Sequence, residues 1–241
     1  MPTSADIARL DPDAKALLLK ILERYAYRQR MVVNVMGHGL KYLPRLDDKR
    51  GFLEELGHAF QVLAEIERLY GALGGVELMG AIRPRMERIP YPDSRQELAI
   101  GLALVRRAAR VSAISFSNCV SRDFAALAKT VLAAPDNSAE EEERFQEFSS
   151  DPSNRPQAQK YWDRWLTLGL LSLGRPGAKG DALAQKTGVR AQSTTEVVRE
   201  FLEDTDSLRE SCGLERTDLT GFGIELPESL RGRYGQAGLD N

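Results

Sequence analysis

Apolar residues recur three and four positions apart over most of the chain, and the alternation expected of strands is scarce. Leu18, Ile21, Leu22, Tyr25, Val32, Val35 and Leu40 predict a first helix over residues 11–43. Asp11 or Asp13 can cap its start, Pro12 suits its first turn, and Pro44 can end it. A second helix is expected over 47–73, capped by Asp47 and stopped at Gly74-Gly75. At about 100° per residue, Phe52, Leu56, Phe60, Leu63, Glu67 and Tyr70 share one face of it. Glu55, His58, Val62, Ile66 and Leu69 widen that face to an arc of roughly 200°, broader than the stripe of an ordinary surface helix. Such a helix touches several neighbours, as in a bundle.

Pro84, Pro90 and Pro92 make residues 76–92 a loop with at most a short helical piece. A third long helix is predicted from Asp93 or Ser94 to about Leu132, carried by Leu98, Leu102, Val105, Ala109, Ser112, Phe116, Cys119, Leu127 and Val131. The run Glu140-Glu141-Glu142-Glu143 reads as a solvated helix start that complements the helix dipole. A further helix over 156–173 holds Trp162 and Trp165 as core anchors. A flexible stretch then leads to a last helix over 194–212 and an irregular tail. No repeat at a solenoid period and no dividing linker is present, so residues 1–241 are expected to form one all-α domain with an irregular C-terminal tail.

Composition narrows the function classes. The chain has 241 residues, 42% hydrophobic and 28% charged, with a formal net charge of −2. That balance argues against a nucleic-acid binder, and no helix-turn-helix stands in the first 60 residues to support an all-helical repressor. The start lacks a secretory pattern. The most apolar long stretch, 98–120, is broken by Arg106, Arg107 and Arg110, so no membrane span is expected and a cytoplasmic protein is. Two cysteines, Cys119 and Cys212, provide no disulfide framework, and two histidines, His38 and His58, bound any metal site.

Glu55 and His58, at i and i+3 on the second helix, point to one side of it. Glu-x-x-His is the ligand spacing of ferritin-like di-iron bundles. Around it, Glu54-Glu55-Leu56-Gly57-His58 with Leu69-Tyr70, His38-Gly39-Leu40 to Leu43-Pro44, Tyr161-Trp162-Asp163-Arg164-Trp165 to Gly174, and Glu196 to Phe201 with Cys212-Gly213-Leu214 follow in order. In that order, over about residues 14–227, the chain resembles the ferritin-like subunits of the phenylacetyl-CoA epoxidase complex. The resemblance implies a ferritin-like helical bundle. It also implies either a two-iron oxygenase acting on an aromatic CoA thioester or a related subunit that supports assembly without the full ligand set.

Matched residue by residue, Glu55 and His58 take the second-helix ligand positions. His38 falls at or near the first-helix carboxylate, with Asn34 one turn earlier. The third-helix carboxylate falls on Val105 or Arg106, and no histidine follows His58 to complete a second Glu-x-x-His. The expected role is therefore a divergent subunit, structural or acyl-CoA-related rather than independently catalytic. The alternative is a metal-dependent monooxygenase with a reduced His38, Glu55 and His58 site. No cofactor is expected, iron being the one candidate. Arg106, Arg107 and Arg110 are candidates for binding a CoA phosphate or a partner's acids. The expected partners are further copies of the chain or a related helical subunit, with an acyl-CoA as ligand. Cys119, Ser115, Ser117 and Ser121 are read as packing residues unless Cys119 meets a histidine across the bundle. Gly221-x-Gly223 follows no strand and carries no phosphate-loop meaning.

Overall fold

Every regular element in the computed structural model is helical, among the residues it describes: 10–87, 89–134, 138–221, 224 and 226–234. The second glycine of the Gly221-x-Gly223 pair lies outside them. In chain order the helices are α1 (Pro12–Gly39), α2 (Leu46–Ala72), α3 (Leu78–Met86), α4 (Arg95–Ser115) and α5 (Arg122–Leu132). They continue with α6 (Ser138–Ser150), α7 (Arg155–Leu173), α8 (Lys179–Lys186), α9 (Thr194–Ser211) and α10 (Glu228–Tyr234). None is long and apolar enough to cross a membrane.

The ends follow local chemistry. Asp11 caps α1, its carboxylate accepting from the Asp13 N–H at 2.8 Å, with Pro12 in the first turn. A 3-10 turn, Leu40–Tyr42, carries the chain to Leu43 and Pro44. Arg45 rather than Asp47 is the N-cap of α2, and it makes no side-chain cap bond. Asp47 lies in the first turn, where its charge still suits the dipole. Ser94 caps α4 by accepting from the Glu97 N–H at 3.1 Å.

The predicted third helix is two helices. The backbone leaves α-geometry between Ser115 and Arg122, where the Val120 N–H donates to the Gly188 carbonyl at 2.8 Å instead of back along the chain. Ser121 then accepts from the Phe124 N–H at 3.3 Å and starts α5. The stretch expected to be flexible contains α8, and the tail contains α10.

The central element is α4. Leu98, Ile100, Leu102, Leu104 and Val105 are all at most 1% exposed, so the stretch 98–105 is apolar and buried on every side, the signature of a core segment, while Arg106, Arg107 and Arg110 follow it on the same helix. It packs against α1, α5, α6, α7 and α9. Closest is α7, where Gly101 removes the side chain that would hold the helices apart; a Cβ there would stand 2.8 Å from the indole of Trp165. Both Trp162 and Trp165 are buried, as their core role requires.

The acidic run starts a helix as expected, but only Glu140 and Glu143 of it are solvated. Glu141 is buried and forms a two-pronged pair with Arg95 at 2.5 and 2.7 Å, while Glu142 accepts from Arg107 at 2.6 Å. These carboxylates clamp α6 onto α4, and Phe145, fully buried, fills the contact. On α2 the buried arc is narrower than expected: Phe52, Glu55, Val62, Leu63, Ile66, Leu69 and Tyr70 are buried, whereas Phe60 is 49% exposed and Glu67 faces outward.

Candidate functional site

A cleft of about 400 Å³ opens between α1, α2, α4, α5 and α6. Its apolar wall includes Val32, Ala59 and Val62, and its polar wall is formed by Glu55, His58, Arg106, Arg107, Arg110 and Glu142. Five of the six residues singled out from the sequence therefore meet in one place. The i, i+3 spacing of Glu55 and His58 puts both on the side of α2 that faces α4. The spacing of Arg106 and Arg110, one helical turn, aims both into the cleft from α4.

His38, the sixth residue, does not line the cleft. It is half-buried, with its ring 4.9 Å from that of Tyr91 and 6.1 Å from that of Tyr42, centroid to centroid. Among the described residues no three His, Cys, Asp or Glu side chains are grouped closely enough to hold a metal ion. The expected trio of His38, Glu55 and His58 is thus not assembled. The reason is visible at Glu55. Its carboxylate is in direct ionic contact with a guanidinium nitrogen, Nη2 of Arg106, and both side chains are largely buried. A cation covalently fixed to α4 takes the position in which a metal would have to be bound, and a second positive charge beside it would be repelled. Among the described residues, the side chains around Glu55 do not group as a metal centre.

The pairing leaves part of the guanidinium over. Nε and Nη1 of Arg106 are buried and make no hydrogen bond within the described structure, and the same holds for Nε2 of His58. Buried polar atoms are nearly always hydrogen-bonded, so unsatisfied ones that converge on a cleft mark a place for a polar ligand group or ordered water. Arg107 differs: it donates to Glu142, to the Asp204 carboxylate at 3.0 Å and to the Asp204 carbonyl at 2.8 Å. Burial lowers its pKa, but Glu142 and Asp204 more than offset this and hold it above the ordinary arginine value. Arg107 thus braces α4 against α6 and α9, whereas Arg106, which lines the cleft, keeps two buried nitrogens without a hydrogen bond among the described residues.

Sequence reasoning missed Arg28. It is 3% exposed and ties three helices together, donating to the Ala108 carbonyl at 3.2 Å, to Ser112 Oγ at 3.2 Å and to the Ser172 carbonyl at 3.4 Å. Burial pushes its pKa down, and the Tyr25 ring, 4.9 Å from the guanidinium carbon, compensates in part. The available signal was its place three residues after Tyr25 and four before Val32, on the apolar stripe of α1.

Cys119 is buried, and burial pushes its thiol pKa up to about 11, which makes it a poor nucleophile near neutral pH. Ser115 and Ser117 donate to the Ser112 and Ile114 carbonyls. With Ser121 as a cap, these serines fill structural roles. No protein-family model matches the chain, and no curated protein matches it at a significant level.

Proposed function

We propose that the chain is a divergent ferritin-like subunit of the phenylacetyl-CoA epoxidase type that carries out no oxygen chemistry of its own. In this reading Arg106 stands where a metal-bearing relative has a carboxylate. Its ion pair with Glu55 supplies internally the charge balance that metal and ligands supply elsewhere. That pair is the observation on which the reading rests. The cleft beside it keeps a binding capacity. Its volume falls in the range of small-ligand pockets, and the spare donors of Arg106 suit the carbonyl or carboxylate oxygen of an acyl group.

A supporting role also fits the outer side of α2. Leu46, Leu53 and Phe60, each seven residues from the next, are 74%, 51% and 49% exposed. Residues repeating at one heptad position lie on one side of a helix and can pack along another helix, so a second copy of the chain is the occupant proposed for this face.

The test is metal content. The protein is expressed in iron-rich medium and examined by elemental analysis and Mössbauer spectroscopy. The expected result is substoichiometric iron without a coupled signal. Two irons per chain with oxygen-dependent turnover would overturn the proposal.

A further inference from the structure

A second cavity, about 760 Å³, lies on another side of the bundle, between α1, α3, the C-terminal half of α7 and α9. Its chemistry is the reverse of the first cleft's. There, Arg106 and Arg107 are matched by Glu55, Glu142 and Asp204. Here, Arg24, Arg85 and Arg175 border one space, and among the described residues none of the three has a carboxylate partner. The nearby acids are engaged elsewhere: Glu23 with Lys20 and Tyr70, Asp181 with Arg190 and Thr194.

Arg24 shows the strain of this arrangement. Burial pushes its pKa down, and repulsion from Arg85 and then Arg190 adds to this more than Glu23 and Asp181 relieve it. Its position is also built into the backbone. Gly174 ends α7 at φ +109°, a turn that glycine allows without strain, and the Arg24 guanidinium lies close against it, 2.6 Å from where a Cβ would stand. Tyr27 adds a phenol near enough to feel the charge of Arg85. The same cavity has an apolar lining that includes Leu168, Leu171 and Val198.

Cations that converge without counter-charges beside an apolar wall select an anion with a tail. Guanidinium forks match phosphate oxygens in geometry and charge. We propose that this cavity binds an amphipathic phosphate, its phosphomonoester head held by Arg24, Arg85 and Arg175 and its alkyl or aryl tail laid along Leu168, Leu171 and Val198. This site stands apart from the first cleft and does not depend on the role proposed for it.

Calorimetric titration of the full chain with octyl phosphate tests it. Octyl phosphate is expected to bind, inorganic phosphate at least about tenfold more weakly because it lacks the apolar contact, and octanol not measurably. Arg85→Gln and Arg175→Gln, both at exposed positions and therefore harmless to folding, are each expected to weaken octyl phosphate about tenfold, the worth of one charge-assisted contact. Leu171→Gln is expected to weaken octyl phosphate while leaving inorganic phosphate unchanged. Phosphatidate vesicles that sediment the protein with the same sensitivity to Arg85→Gln assign the phosphate to a membrane lipid; octyl phosphate binding without sedimentation assigns it to a soluble phosphomonoester. No binding of octyl phosphate overturns the proposal. So does binding that survives both arginine substitutions, or binding abolished by Arg107→Gln instead.

Discussion

Trp165 Nε1 donates to Glu97 Oε1 at 3.1 Å, inside the contact between α4 and α7, and Glu97 is fully buried. The same oxygen accepts from Arg164 at 2.6 Å. One carboxylate thus satisfies the indole of the largest core side chain and binds the charge next to it. Glu97→Leu removes this shared acceptor and leaves the indole N–H without that partner. The expected loss is about 2 kcal/mol, read as a lower midpoint in urea unfolding; an unchanged midpoint would show that water replaces the carboxylate.

At the next turn of α4, Gly101→Ala places a methyl group 2.8 Å from the same indole. The ring is fully buried and has no free direction in which to move. Overpacking of this kind costs about 1–3 kcal/mol, enough to outweigh the better helix propensity of alanine. A thermal melt that shifts upward in Gly101→Ala would contradict the packing described.

Arg106→Met leaves Glu55 buried beside an apolar side chain. Breaking a buried pair from one side costs about 3 kcal/mol. The double variant Arg106→Met with Glu55→Gln removes both charges and is expected to recover most of the loss. Equal stabilities for the single and double variants would mean that the ion pair is not what holds this part of the bundle.

The capping box of α9 gives a pH dependence with a definite sign. Glu196 accepts from the Ser193 N–H at 2.6 Å and from its hydroxyl at 2.8 Å, and these bonds hold its pKa below the ordinary 4.5. A folded-state pKa that is depressed adds stability above pH 4.5 and loses it as pH falls toward and through the lowered value. Glu196→Gln is expected to flatten that part of the stability profile, and Ser193→Ala to cost about 1 kcal/mol at neutral pH. Urea titrations from pH 3 to 7 provide the measurement.

The stripe on α2 predicts an assembly effect. Leu53→Glu combined with Phe60→Glu places charges on the proposed seam without touching the core. Mass by light scattering is expected to fall to that of a monomer, with the helical signal intact. A mass that stays the same in the variant and the parent removes this face from the proposal.

Where the physics is local, the sequence is a good guide. The three-four spacing locates α1, α2, α7 and α9 to within a residue or two at most ends, because each buries one stripe and stops at a cap, a proline or a glycine. The break after Ser115 escapes notice because Phe116 and Cys119 are buried too, so they keep the apolar period going through a stretch that is not helical. Glu141 is misread for a different reason: its neighbours along the chain are all polar, and its partner Arg95 lies 46 residues away. The candidate site shows the same division. Glu55, His58 and the α4 arginines are legible as faces of helices. That Arg106 reaches Glu55, and that His38 turns to Tyr91, depends on how the helices cross, which periodicity does not encode.

The clamp between α6 and α4 bears on solubility. Glu141 and Glu142 are adjacent on α6, yet they pair with Arg95 and Arg107, which stand at widely separated points along α4. Any slide of α6 in either direction stretches one pair or the other, so the helix is pinned in register by charge. Part of what it covers is the apolar, wholly buried stretch 98–105 of α4, and such a surface, once bare, would drive molecules together. The four charges therefore work as colloidal protection: by keeping α6 seated, they keep an apolar core segment away from neighbouring molecules in solution.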